Sequence, residues 1–277
     1  MGIELKSVDR SYRANFLFCI VLLVVLILSH TGFAFELLTF ESTTAKYTYY
    51  LNAANEQVKH GTDTRYYTYP TVSQIIHWNH GQQHGLDEAW YRPHYSYGYV
   101  KHWEKNYQNG VLHGSSKQWT QSTGQIESFT NYRYGLLDGV YQKWRSAPDF
   151  SQYNPYYFHM HENATYKNGL LHGAYTKWIT TTYTSYGYTY YNQRIKDQEG
   201  NYAYGKKDGK WKFYHSTESS PYFVKSEGYY SNDNKCGDWR YYYATTGGLA
   251  STEDLGPCGA TYPPGGGGPL PGGYSRI

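Results

Sequence analysis

One phrase recurs along this chain at least five times and limits what it can fold into more than any other feature. It reads aromatic-x-x-Gly-x-x-(His/Asp)-Gly-x₄-aromatic. The clear copies are Trp78/Gly81/His84/Gly85/Trp90, Tyr107/Gly110/His113/Gly114/Trp119, Tyr132/Gly135/Asp138/Gly139/Trp144, Tyr166/Gly169/His172/Gly173/Trp178 and Tyr202/Gly205/Asp208/Gly209/Tyr214. Partial copies flank them at His60/Gly61/Tyr66 and Tyr230/Asp233/Cys236/Gly237/Tyr242. Self-similarity of this kind marks a repeat architecture, in which each unit buries its apolar face only by stacking on its neighbours. Successive second glycines are 24, 29, 25, 34, 36 and 28 residues apart. The basic unit is therefore about two dozen residues, and the longer gaps hold insertions, Ser146 to Tyr157 and Thr181 to Tyr191, expected to form loops.

Each unit predicts a β-hairpin. Asn109-Gly110 and Asn168-Gly169 are strong two-residue turn signals, because both turn positions want positive φ. The second glycine marks another bare-backbone position, at a turn end or a bulge. Alternation follows it, as in Lys210-Trp211-Lys212-Phe213-Tyr214, which sends side chains to opposite faces. The position five after the second glycine is aromatic in all seven copies: Tyr66, Trp90, Trp119, Trp144, Trp178, Tyr214 and Tyr242. This column is expected to be a structural ladder. The expected class is all-β, an elongated single-layer solenoid of stacked antiparallel hairpins. Residues 35–56 would be an N-terminal cap, 57–245 the repeat sheet, and 246–277, rich in Gly and Pro, a flexible tail.

Composition supports a thin sheet. The chain has 36 Tyr, a residue that suits a half-buried pleated face. Net charge is only +3, with no Lys/Arg stripe, which argues against a nucleic-acid partner. Residues 1–34 differ from the rest. Lys6, Arg10 and Arg13 precede an unbroken apolar run from Phe16 to Leu28, followed by a Gly32-Phe33-Ala34 cleavage pattern. This predicts a signal peptide and a secreted, extracytoplasmic product. The alternative is a signal anchor over residues 14–35, the only membrane contact expected. Cys236 and Cys258 are candidates for a disulfide in an oxidising compartment, with two free thiols as the other reading. Asn163 begins an Asn-x-Thr glycosylation sequon.

The repeats resemble MORN repeats, most closely the bacterial variant described as antitoxin-like. Tyr166-Lys167-Asn168-Gly169-Leu170-Leu171-His172-Gly173 and Tyr202-Ala203-Tyr204-Gly205-Lys206-Lys207-Asp208-Gly209-Lys210-Trp211 carry the resemblance, which extends over roughly 57–243. It implies an elongated, twisted, single-layer sheet of successive hairpins. It implies no single function, since members act as scaffolds, protein-binding modules, lipid binders or antitoxins. Export argues against an antitoxin role, which needs the toxin in the same compartment.

No catalytic constellation stands out, so the chain is expected not to be an enzyme and to use no cofactor or metal. There is no Gly-x-Ser-x-Gly elbow and no phosphate-binding Gly loop. Glu88, Glu104, Glu127 and Glu162 fall at unrelated repeat positions, which does not suggest a glycosidase pair. His77, His80 and His84 are close in sequence, but His84 fills a slot held elsewhere by His60, His113, Asp138, His172, Asp208 and Cys236. Such a slot predicts a turn residue bonding its own backbone. The expected function is a protein-interaction or self-assembly scaffold, with carbohydrate (polysaccharide) binding as the alternative. Tyr134, Tyr141, Tyr175 and Tyr204 are the expected ligand face.

Overall fold

The computed structural model describes residues 22–23, 36–94, 98–148, 156–185, 188–216 and 223–259. These are strands and turns, with no helix among them. The chain divides into two compact units, Met1–Trp144 and Arg145–Ile277. In each, consecutive strands pair antiparallel into one ladder of hairpins.

In the first unit the ladder runs through Leu38–Glu41, Ala45–Leu51, Gln57–Thr68, Thr71–Asn79, Gly85–His94, Gly98–Gln108, Val111–Trp119, Ile126–Arg133 and Leu136–Pro148. Residues assigned to a cap thus already pair within the sheet. Of residues 1–34 only Leu22–Leu23 are described, pairing with Leu38 and Thr39. The signal peptide or anchor otherwise lies outside the described residues.

The second unit contains Tyr156–Lys167, Leu170–Ser185, Tyr188–Ala203, Lys206–Tyr214, Val224–Ser231, Asn234–Tyr242 and Leu249–Asp254. The stretch Thr181 to Tyr191 is no side loop. It lengthens two strands, with Thr182 opposite Tyr191 and Thr184 opposite Thr189, because its Thr and Tyr residues favour strand backbone. The boundary of the tail also moves. Leu249–Asp254 pairs with Asp238–Tyr242 after a turn in which Gly247 takes φ +66°.

The two glycines of the repeat have separate jobs. The first closes a two-residue turn: Asn109 and Gly110 have φ of 49° and 80°, and Asn168 and Gly169 of 51° and 82°. The second sits at φ +95° in Gly114 and +98° in Gly173, where the register shifts by a bulge.

That bulge decides which rings are buried. In the second unit the buried column is two residues after the second glycine, at Tyr175, Trp211 and Trp239, exposed by 7%, 0% and 0%. Each ring lies over the strand that leads into its hairpin, and its size matches what is beneath. Tyr141 faces Thr130 and Tyr175 faces Ala164. Trp211 and Trp239 lie on Gly200 and Gly228, where a Cβ would come within 2.3 and 2.4 Å of indole carbons. Each indole N–H donates to a backbone carbonyl, Asn201 at 2.9 Å and Tyr229 at 3.2 Å. Around them Tyr202, Phe213, Tyr230 and Tyr241 pack with centroids 5.1 to 6.4 Å away. Lys207 and Lys235 close the top, 4.4 Å from Trp211 and 4.1 Å from Trp239, so the rings are covered without a second layer.

In the first unit the same column holds Asp63, Asp87, Ser116 and Tyr141. Asp63 is fully buried, ion-paired to Lys59 at 2.7 Å and Arg65 at 3.6 Å. Asp87 accepts from Gln74 at 2.9 Å and from the Trp103 indole at 3.2 Å.

The size matching predicts a double-mutant outcome. Gly228→Ala should cost about 1–3 kcal/mol, since the methyl must displace the indole. Adding Trp239→Tyr should recover part of that loss, recreating the Ala164–Tyr175 pairing. Urea denaturation of the single and double variants checks it, and simple additivity would show that the ring and the residue beneath are not coupled.

Candidate functional site

Two sets of contacts tie each hairpin to the next, and they fix what the surface can present. The first runs along the turn edge. The turn N–H of each hairpin donates to a carbonyl of the preceding one: Gly81 to Lys59, Gly110 to Gln83 and Gly135 to Leu112 at 2.8 Å, and Gly205 to Leu171 at 2.7 Å. The histidine slot joins in. The Tyr134 N–H donates to His113 Nδ1 and the Tyr204 N–H to His172 Nδ1, both at 3.4 Å, and the His80 N–H to His60 Nδ1 at 3.3 Å. At His60, His113 and His172 the slot therefore binds the next hairpin's backbone rather than its own, because stacking brings that turn within reach. In the last repeat the slot is Cys236, and the hydrogen bond is replaced by a disulfide to Cys258.

The second set lies at the opposite end of the strands. The residue after the aromatic column reaches the next hairpin's column carbonyl: the Tyr67 hydroxyl to Trp90, Tyr91 to Trp119 at 3.2 Å, and His215 Nε2 to Tyr242 at 3.0 Å.

The predicted ladder Tyr66, Trp90, Trp119, Trp144, Trp178, Tyr214 and Tyr242 is half-buried throughout. It does not form the fully buried column, since an offset of three residues puts it on the other side of the strand from Trp211 and Trp239. Its contacts are with charges. Lys101 Nζ is 5.8 Å from both the Trp90 and Trp119 rings. Tyr214 donates to Glu199 at 2.5 Å and Tyr242 to Glu227 at 2.9 Å. These carboxylates and Glu104 share one repeat slot, three residues before the first aromatic of the phrase. Burial opposes ionisation of Glu104, Glu199 and Glu227, but hydrogen bonds from Lys101, Lys196 and Lys210 outweigh it and hold all three below the ordinary carboxylate range. Burial, then the Glu199 hydrogen bond, pushes the Tyr214 phenol up.

The acids read as unrelated are partly brought together. Glu88 stands directly opposite Glu104 across two strands, and Lys101 bonds both, at 2.8 Å to Glu88. Lys117 reaches Glu104 at 3.4 Å. Strand pairing across a hairpin gap creates this cluster, and no local spacing reveals it.

The expected ligand face splits. Tyr134 and Tyr204 are 69% and 67% exposed. Tyr141 is half-buried opposite Thr130. Tyr175 is buried, in edge contact with Tyr202 at 5.2 Å, and burial raises its phenol pKa. Both occupy the column two residues after the second glycine, but only Tyr175 is buried there and out of a ligand's reach. Asn163 is half-buried within Tyr156–Lys167, opposite Thr176, rather than at a strand start. His77 bonds the Leu86 carbonyl at 2.6 Å and His84 the Asn109 amide at 3.3 Å, while His80 meets Tyr50 at 3.1 Å, so the three do not converge. In the second unit a depression of about 260 Å³ is lined by Lys210, Glu227, Gly228, Tyr229, Asp238 and Arg240. Glu227 already pairs with Lys210 at 3.0 Å and Arg240 at 3.9 Å.

Three histidines give the sheet an acid limit. Burial lowers the pKa of His60, His102 and His161, aided by His80, Lys105 and Arg145 respectively. Unfolding would let them protonate near the usual value of about 6.5. Stability should therefore be complete above that pH and fall as pH drops below it. Melting at pH 7.5 and 5.0 checks this, with the His60→Gln/His102→Gln/His161→Gln variant expected to show a flatter profile. An equal fall in the variant would assign the effect to other groups.

No family model matches the chain, and no curated protein matches it.

Proposed function

We propose that the chain is a non-enzymatic scaffold that binds protein partners, or a second copy of itself, through the turn edge of its hairpins. The observation that carries this is the pair Tyr134 and Tyr204. Both hold φ of 49°, where a bulky side chain is strained and where other copies carry Asn109, Asn168, Asn232 or His80. Both remain about two-thirds exposed, their rings set edge-on or tilted against His113 and His172 with centroids 4.9 and 4.8 Å apart. Strain kept at an exposed position, with little burial in return, points to a contact residue. Val111 and Leu136 add exposed apolar surface along the turn edge of the first unit, and Leu170 does so along that of the second. Export to an oxidising compartment is part of the proposal, supported by the basic and apolar start of the sequence and by the Cys236–Cys258 bond. The resemblance to MORN repeats supports a scaffold over a dedicated catalyst.

The test is Tyr134→Asn/Tyr204→Asn. Asparagine suits the turn, so thermal stability should stay within about 1 kcal/mol of the parent. Sedimentation and photo-crosslinking from position 134 should show association in the parent and its loss in the variant. A parent that stays monomeric and crosslinks to nothing would end the proposal.

A further inference from the structure

The face of the first unit that carries the aromatic column has features the scaffold reading leaves unused. Trp90 and Trp119 stand two strands apart, which puts successive rungs about 10 Å from each other. Both rings are half-buried, and the same Lys101 ammonium lies 5.8 Å from each. In the adjacent row of the same strands, Glu88 and Glu104 are directly opposed. Like charges at opposed positions cost stability unless something holds them there. Lys101 bonds both carboxylates and Lys117 bonds one, so two acids and two bases sum to zero charge. All four side chains keep some solvent contact, between 22% and 38% of their surface.

We propose that this face binds a linear, neutral polysaccharide, with one chain lying across successive hairpins and its sugar rings on Trp90 and Trp119. The rung spacing matches a straight two-fold glycan chain, which turns the same face toward a surface at every second ring, over about that length. An indole covers the axial C–H face of a pyranose. The Lys101 ammonium between the rings and the Glu88 and Glu104 carboxylates in the row beside it offer charge-assisted hydrogen bonds to hydroxyls, as donor and acceptors. The zero net charge selects a neutral chain over a uronic-acid polymer. Hydrogen bonds from Lys101 and Lys117 hold Glu104 below the ordinary carboxylate range despite its burial, so it stays an acceptor for sugar hydroxyls. This inference uses a different surface from the turn edge and stands or falls apart from it.

The test is calorimetric titration of the full exported chain with cellohexaose, mannohexaose and xylohexaose, beside the matching disaccharides and oligogalacturonate. At least one neutral hexaose should bind, and its disaccharide about tenfold or more weakly, because a short ligand reaches one rung only. Trp119→Ala should weaken the hexaose about tenfold and Glu104→Gln severalfold. Should Trp119→Ala fail to fold, Trp119→Phe and Glu104→Gln carry the comparison. Tyr134→Asn should bind the hexaose like the parent even if it abolishes association. The proposal is overturned if no neutral hexaose binds, if oligogalacturonate is preferred, or if folded Trp119 and Glu104 variants bind unchanged.

Discussion

Trp211→Ala is expected to destabilise the second unit by about 3–5 kcal/mol, whereas Trp144→Ala should cost the first unit about 1–2 kcal/mol. Both residues belong to the same repeat phrase, so the contrast isolates position from residue type. Trp211 has no exposed surface. It touches Tyr175, Tyr202, Phe213 and Tyr230, and Lys207 covers it. Truncation would leave a cavity that the rigid strand beneath cannot fill, since Gly200 has no side chain to move into it. It would also leave the Asn201 carbonyl without its indole donor. Trp144 is half-buried and loses less on truncation. Urea titration followed by circular dichroism measures both. Equal losses would mean that the two faces of the sheet share the packing, and a larger loss at Trp144 would reverse the assignment of core and surface.

Removing the disulfide by Cys236→Ser/Cys258→Ser should cost about 3 kcal/mol in the chain-entropy account, given the sequence separation of 22. The effect should be local. The segment after Leu249–Asp254 is held by the disulfide and by the backbone bonds Gly237 N–H to Gly256 at 2.6 Å and Leu255 N–H to Gly237 at 3.1 Å. Every residue of Leu249–Asp254 is exposed, so its side chains add little packing to its ladder with Asp238–Tyr242. Loss of the covalent bond should let this strand open first, uncovering the edge beside Trp239. Hydrogen exchange should accelerate in residues 249–254 before it changes in 206–231. Unchanged exchange and an unchanged melting temperature after reduction would show that the backbone ladder alone fixes the end of the sheet.

The hairpins, their turns and their approximate period were legible because each depends on a local conformational demand. Asn109-Gly110 needs two positive φ values, and Gly114 needs another four residues later. No distant contact is required to infer either. The disulfide was open at the sequence level, and the structure pairs Cys236 with Cys258, because pairing of Leu249–Asp254 with Asp238–Tyr242 brings the following segment against that slot.

The aromatic columns were legible as columns but not as faces. A strand with rings at both Trp211 and Tyr214 offers one to each side, and nothing local says which side is buried. The answer lies on the neighbouring strand, in Gly200 and Gly228, which leave room for an indole. The Glu88–Glu104 cluster has the same origin. Its members are far apart in the repeat phrase, and antiparallel pairing sets them opposite each other.

The sequence alone therefore determined everything that follows from backbone preference and periodicity: strands, two-residue turns, bulges and a stacked arrangement. Register decided the rest. It chose the buried column, turned the histidine slot into a clasp between hairpins, moved Tyr175 into the core, and left Tyr134 and Tyr204 outside. A shift of one residue in pairing exchanges the two faces of every strand, and that choice rests on how side chains from different hairpins fit against each other.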